Sequence, residues 1–340
     1  MCVRQPTFIE FAVFVQSLGD DCEIQSKRSV EVYNVLPKIP LNARWARDGV
    51  TVAGGNGRGN ALNQLYYPYG LYVDDDENVL IADWGNHRIV EWKPGATNGE
   101  VVAGGNGPGK QNNQLCSPRD VIVDKETDSL IICDWVNRRV VRWFRQNRIR
   151  GETIIDNVGC WGLTMDDQRF LYVADYEKHE VRRYQDGQRN GTVVAGGNGR
   201  GTRLNQLSYP SFISVDRNHT VYVTENGNPR VTKWAKDAKE GIVLASDPNN
   251  GNTLIQLFNP TGVLVDQLGT FYVADSGEND RVMRWSNGAT QGKVIAGGYG
   301  EGQQEDQLNS PMGLSFDRHG NLYVAEWGNN RVQRFSIESS

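Results

Sequence analysis

Residues 83–92 read DWGNHRIVEW, which places an acid, an indole, a histidine and an arginine within a few positions of one another. The phrase returns as DWVNRRVVRW at 134, DYEKHEVRRY at 175, ENGNPRVTKW at 225, DSGENDRVMRW at 275 and EWGNNRVQRF at 326. An arrangement copied six times reads as architecture rather than as one catalytic cluster.

The aromatics that close the copies, Trp92, Trp143, Tyr184, Trp234, Trp285 and Phe335, lie 51, 41, 50, 51 and 50 residues apart. Periods of this size belong to propellers and solenoids. Within one period GLYVDD alternates apolar and polar residues, NVLIADW is an apolar run, RIVEW alternates, and EVVAGG ends in paired glycines. These are four strands, a to d, separated by the turn compositions DDEN, GNH and PGATNG. Four strands per repeat predict one blade each, so the chain is expected to be all-β: a six-bladed β-propeller of four-stranded antiparallel blades. The series opens with a lone strand d at 50–55 and finishes with strand c at 330–336. The N-terminal strand should therefore complete the last blade, closing the ring and removing its exposed edges. The propeller is assigned to 49–336, with an extension at 1–48 and a tail at 337–340.

Glycine fills 38 of 340 positions, which suits many turns and disfavours a helical bundle. A net charge of −5 exerts no general pull on nucleic acid or anionic lipid. No apolar run approaches the roughly 18 residues of a membrane span, so a soluble monomer without a membrane partner is expected. Cysteines 2, 22, 116, 133 and 160 are too few and too scattered for a disulfide scaffold. The segment FIEFAVFVQSL after Arg4 has the look of a signal-peptide core interrupted by Glu10, and sequons occur at Asn190 and Asn218. These leave cytoplasmic and secreted locations both open.

With the repeats aligned, the chain resembles the NHL-repeat proteins across residues 49 to 336. The motif appears as Asn86-His87-Arg88-Ile89, and the elements PxGLxVD, LYVAD and GNxRV recur in order, as at Pro311 to Asp317, Leu322 to Glu326 and Gly328 to Val332. The third repeat departs from the pattern, with Lys178-His179-Glu180-Val181 and no proline before its strand a.

Asp74, Asp124, Asp166, Asp216, Asp266 and Asp317 end each strand a, where a carboxylate accepts amide hydrogen bonds from the following turn. Asp83, Asp134, Asp175, Glu225, Asp275 and Glu326 close strand b, and Arg88, Arg139, Arg230, Arg281 and Arg331 open strand c, a spacing suited to ion pairs across the turn. Glu180 breaks the series and leaves Asp175 to another partner, with Arg182 as the candidate.

Strand direction alternates within a blade, so the b–c turns, the d–a connections and the start of every strand a share one face, here called the top. After each strand b come Trp84, Trp135, Tyr176, Asn226, Ser276 and Trp327, an arc of aromatics over consecutive blades. The arc is either a binding surface or a set of rings lying flat over blade seams. Beside it, the channel mouth should carry Tyr69, Arg119, Trp161, Ser211, Thr261 and Met312, with Asp120 and Phe212 where other blades have glycine. The loops GGNGRG, GGNGPG, GGNGRG and GGYGEG lack the following helix of a phosphate cradle and are expected to fold back over the top, anchored by Leu65, Leu115 and Leu207. Their charge is uneven: Arg58, Lys110, Arg119, Arg200 and Arg203 on early connections, Glu301, Glu305 and Asp306 on the last.

The resemblance also implies alternatives. NHL-like propellers include metal-dependent lyases and lactonases, and some bind single-stranded RNA through the top face. Four scattered histidines, and one acid beside an arginine, make a poor cation site, and the acidic sector of the last blades opposes phosphate. The expectation is a non-catalytic module without cofactor or metal, binding a protein or peptide through Trp84, Trp135, Tyr176, Trp327, Tyr69, Arg119, Trp161, Arg58 and Arg200. Cys133 and Cys160, which the short connection of the third repeat brings near each other, read preferentially as two buried thiols, with a disulfide between adjacent blades as the alternative.

Overall fold

The computed structural model describes residues 37–246, 257–277 and 280–338, and the segment FIEFAVFVQSL lies outside them. Six separate four-stranded antiparallel sheets account for its strands. The innermost strand of each begins at the same point of the repeat: Pro68–Val73, Pro118–Asp124, Cys160–Met165, Pro210–Val215, Pro260–Val265 and Pro311–Phe316. Each packs on the next, and the sixth packs on the first, so the sheets form a closed six-bladed ring.

Closure is made as the interrupted repeats require. Val50–Gly54 pairs antiparallel with Arg331–Phe335, from Val50 opposite Arg334 to Gly54 opposite Arg331. Part of the extension belongs to this seam too. Ala46 donates its amide to the Ser336 carbonyl (2.8 Å) and Glu338 donates to Arg44 (2.8 Å). The Trp45 indole donates to the Gly320 carbonyl (3.0 Å), and Ile39 is buried beside it among residues of blades 5 and 6.

Between blades, the repeated closing aromatics fill the seams: Trp92, Trp143, Trp234, Trp285 and Phe335 are at most 2% exposed. Truncating a ring so buried costs about 3–5 kcal/mol, so each is a structural keystone. At the strand a ends, Asp74 accepts from the amides of Asp76 and Asn78, and Asp166, Asp216, Asp266 and Asp317 repeat the pattern.

The acid–arginine pairs form across the b–c turns: Arg88–Asp83 at 2.7 Å, Arg139–Asp134, Arg230–Glu225 and Arg331–Glu326 at 2.6 Å, and Arg281–Asp275 at 3.1 Å. The guanidinium also does more than the sequence disclosed. Arg88 Nη1 donates to Asn60 O (3.0 Å), and Nη2 to Ala61 O (3.2 Å) and Gln64 O (3.1 Å), holding the folded-back glycine loop. Arg139, Arg230 and Arg331 repeat this on their own loops. The loops are thus held from below, with Leu65, Leu115 and Leu207 fully buried. Their paired glycines are obligatory: Gly104 has φ +69°, and a Cβ there would lie 2.6 Å from the His87 carbonyl oxygen.

In blade 3 the expected pairing is corrected. Arg182 does not reach Asp175; its Nε binds Glu180 at 2.6 Å, and Lys178 Nζ lies 3.3 Å from Asp175 instead. The reason is local, since Glu180 and Arg182 are alternate residues on one face of one strand. Cys133 and Cys160, where two thiols are the preferred sequence reading, are joined by a disulfide with Cα atoms 5.5 Å apart.

Candidate functional site

Strand a starts at the top, so the residue after its first position points into the channel mouth, while the residue after strand b lies one step further out. The structure brings the two sets together. Trp161 stacks on Tyr176 (centroids 4.5 Å, 21° between planes) and meets Trp135 (5.3 Å) and Tyr69 (6.1 Å) edge-on. Tyr69 approaches Trp84 at 6.2 Å. Trp84, Trp135, Tyr176 and Trp327 are each half-buried, part of every ring packed down and part open.

Two residues that the sequence reading passed over complete the chain of rings. Tyr67 stacks on Trp327 (4.0 Å, 8°) and lies 6.3 Å from Trp84, and Tyr209 extends the other end from Tyr176 (4.6 Å). Both precede the proline of strand a, where the six repeats carry Tyr67, Ser117, Gly159, Tyr209, Asn259 and Ser310. A position so variable sends no periodic signal. Arg58 and Arg200 sit over these tyrosines, Nη1 of each bonding the hydroxyl of Tyr67 (3.1 Å) and Tyr209 (3.2 Å).

At the centre is Arg119. Its guanidinium carbon lies 3.6 Å from the Trp161 ring centroid, 4.2 Å from Tyr69 and 5.0 Å from Trp135. Three aromatic faces compensate part of the cost of burying this cation, which is 8% exposed. Burial pulls its pKa below the ordinary arginine value, with Tyr69 opposing, yet the group stays protonated. Asp120, beneath it, turns away: its carboxylate accepts from the amides of Val121 (2.9 Å) and Leu163 (2.8 Å). Burial pushes Asp120 up to about 7 against those two amides. The side chain fits because its neighbour is glycine; a Cβ on Gly70 would lie 2.1 Å from Asp120 Oδ1.

The other mouth residues are spent on the ring itself. Ser211 Oγ meets Thr224 Oγ1 at 2.9 Å, and Thr261 Oγ1 donates to Pro311 O at 2.7 Å. His87 and His179 accept the amides of Ser117 (3.0 Å) and Tyr209 (3.2 Å) through Nδ1. Among the described residues, one cluster has the donor spacing for a cation: Asp166, Asp167 and His219, on the face opposite the mouth. Two of its members, Asp166 and His219, already bind each other, Asp166 accepting in addition two amides and the Tyr172 hydroxyl, and Asp167 is exposed.

A closed ring of six four-stranded blades around an aromatic mouth defines a six-bladed β-propeller. Residues 65–92 and 308–335, in the first and last blades, match the NHL repeat family, and these two matches together with the six-bladed ring support an NHL-repeat propeller. No curated protein matches it. Among solved structures it is similar to an auxiliary nutrient binding protein from Bacteroides thetaiotaomicron (14% identity, 87% of this chain and 77% of that one, TM-score 0.65). It is also similar to a gluconolactonase from Xanthomonas campestris (15%, 89% and 99%, 0.59) and to virginiamycin B lyase from Staphylococcus aureus (13%, 83% and 87%, 0.53). At such identities the likeness is one of fold.

Proposed function

We propose that the top face is a non-catalytic interaction surface for a protein or peptide partner, centred on Tyr69, Arg119, Trp161 and the arc Trp327, Trp84, Trp135 and Tyr176. The observation that carries this reading is the unbroken run of rings from Trp327 to Tyr209 around one guanidinium, all half-buried except the buried Trp161. Aromatics and arginine dominate binding hot spots because they supply large contact area at small entropic cost. The hydroxyls and imidazoles near the mouth are bound to the ring's own backbone and to one another, which leaves rings and charge to meet a ligand.

The test is affinity enrichment with the wild type and a Trp84→Ala, Trp135→Ala double variant. Specific partners should be lost while near-UV circular dichroism and the unfolding midpoint stay close to wild type. Retention of every partner would sink the reading. Steeply salt-dependent binding of oligonucleotides would transfer the face to RNA, and a stoichiometric metal in purified protein would restore an enzyme.

A further inference from the structure

Arg119 is buried without a counter-ion: among the described residues no carboxylate pairs with it. Its Nε and Nη1 are buried and make no hydrogen bond, and the same holds for the indole Nε1 of Trp161 and of Trp84. These donors sit on three side chains joined through the Tyr69 ring. Buried donors ordinarily find acceptors, because each one left unmet costs about 1–3 kcal/mol. The Tyr69 side chain also reaches the guanidinium as a hydrogen-bonding neighbour, yet ring faces satisfy a cation's charge only in part, and Nε and Nη1 are left without an acceptor.

Resting on the interaction reading above, we infer that the mouth is a carboxylate-binding site, in which Arg119 with the indole N–H groups of Trp161 and Trp84 captures an acidic group of a peptide. A planar, singly charged carboxylate matches a single guanidinium fork. A nucleic acid backbone calls for a track of cations, whereas Arg58 and Arg200 are each bonded to a tyrosine hydroxyl. The adjoining rings would take up the apolar side chains next to the acid.

The experiment follows the indole N–H resonances of the 15N-labelled full chain, assigned with Trp84→Phe and Trp161→Phe variants. The probes are N-acetylphenylalanine, its uncharged amide, the α-amide of N-acetylglutamate, inorganic phosphate and oligouridylate. Both carboxylates should shift the Trp84 and Trp161 signals, with the amide at least about ten-fold weaker. The tighter of the two acids tells whether a chain terminus or a side chain is the source, and either result supports the site. Arg119→Met should weaken the acids by about ten- to hundred-fold, as expected for a charge-assisted bond. Trp161→Phe, which removes one donor and keeps an aromatic ring, should weaken them several-fold and gives a reading even if Arg119→Met does not fold. Equal binding of acid and amide, silence toward both acids, indifference to both variants, or tighter binding of phosphate or oligouridylate would each overturn the inference. If Arg119→Met keeps the partners that the Trp84→Ala, Trp135→Ala variant loses, the carboxylate site falls and the interaction surface stands.

Discussion

His87 and His179 occupy the left-handed region, with φ +55° and +57°, and each accepts an amide from the next repeat. Only the neutral imidazole can accept through Nδ1. Burial lowers both pKa values below the ordinary value of about 6.5, with Arg200 adding to the effect at His179 while Asp83 and Asp134 oppose it at His87, and Asp175 at His179. The sign follows: the unfolded chain takes up protons first, so this stability is present above pH 6.5 and is lost as pH falls through the folded-state values. Asn330, at φ +53°, plays the same part by accepting the Tyr67 amide at 2.9 Å, and its side chain does not titrate. A His87→Asn, His179→Asn variant should therefore match the wild type near pH 8 and exceed it in stability near pH 5. Urea unfolding at both pH values measures this, and equal slopes with pH would refute it.

At the scale of the element, the arginine that opens strand c is best understood together with the loop it holds. Blades 1, 2, 4 and 6 have both the arginine and a loop bound to it; blade 3 has neither, since Asp156 ends one strand and Cys160 begins the next. Glu180 was legible only as a departure from pattern, and its cause is that an arginine there would have no carbonyls to collect. The repeat, the blade and the acid–arginine pairs were readable because each is periodic. Trp161 and Arg119 were readable as mouth residues by counting from strand a. Tyr67 and Tyr209 were not, because their role arises from folded-back loops that bring aperiodic positions alongside the arc, and Arg119's missing counter-ion is a property of packing alone. Replacing Arg331 by Met should cost about 3–5 kcal/mol, because Glu326 is left buried and unpaired and three loop carbonyls lose their donor. Chemical denaturation reads the loss, and a change under 1 kcal/mol would contradict this account.

For the whole molecule, the ring is as secure as the seam at which its ends meet. Residues 37–49 add to that seam through Trp45, Ala46 and Ile39. Removing residues 1–54 should strip blade 6 of its outer strand, expose the edge of Arg331–Phe335 to pairing with other molecules, and convert a monodisperse peak on size exclusion into oligomers. A monomer with an unchanged unfolding midpoint would show the closing strand to be dispensable. The seam has a mechanical consequence as well. Its two strands run antiparallel, with Arg44 and Glu338 at the end where both chains leave it. Tension applied to both ends of the chain would load those bonds one after another, peeling the pair apart like a zip, so a wheel that resists heat through all six blades would yield to stretching at this single join.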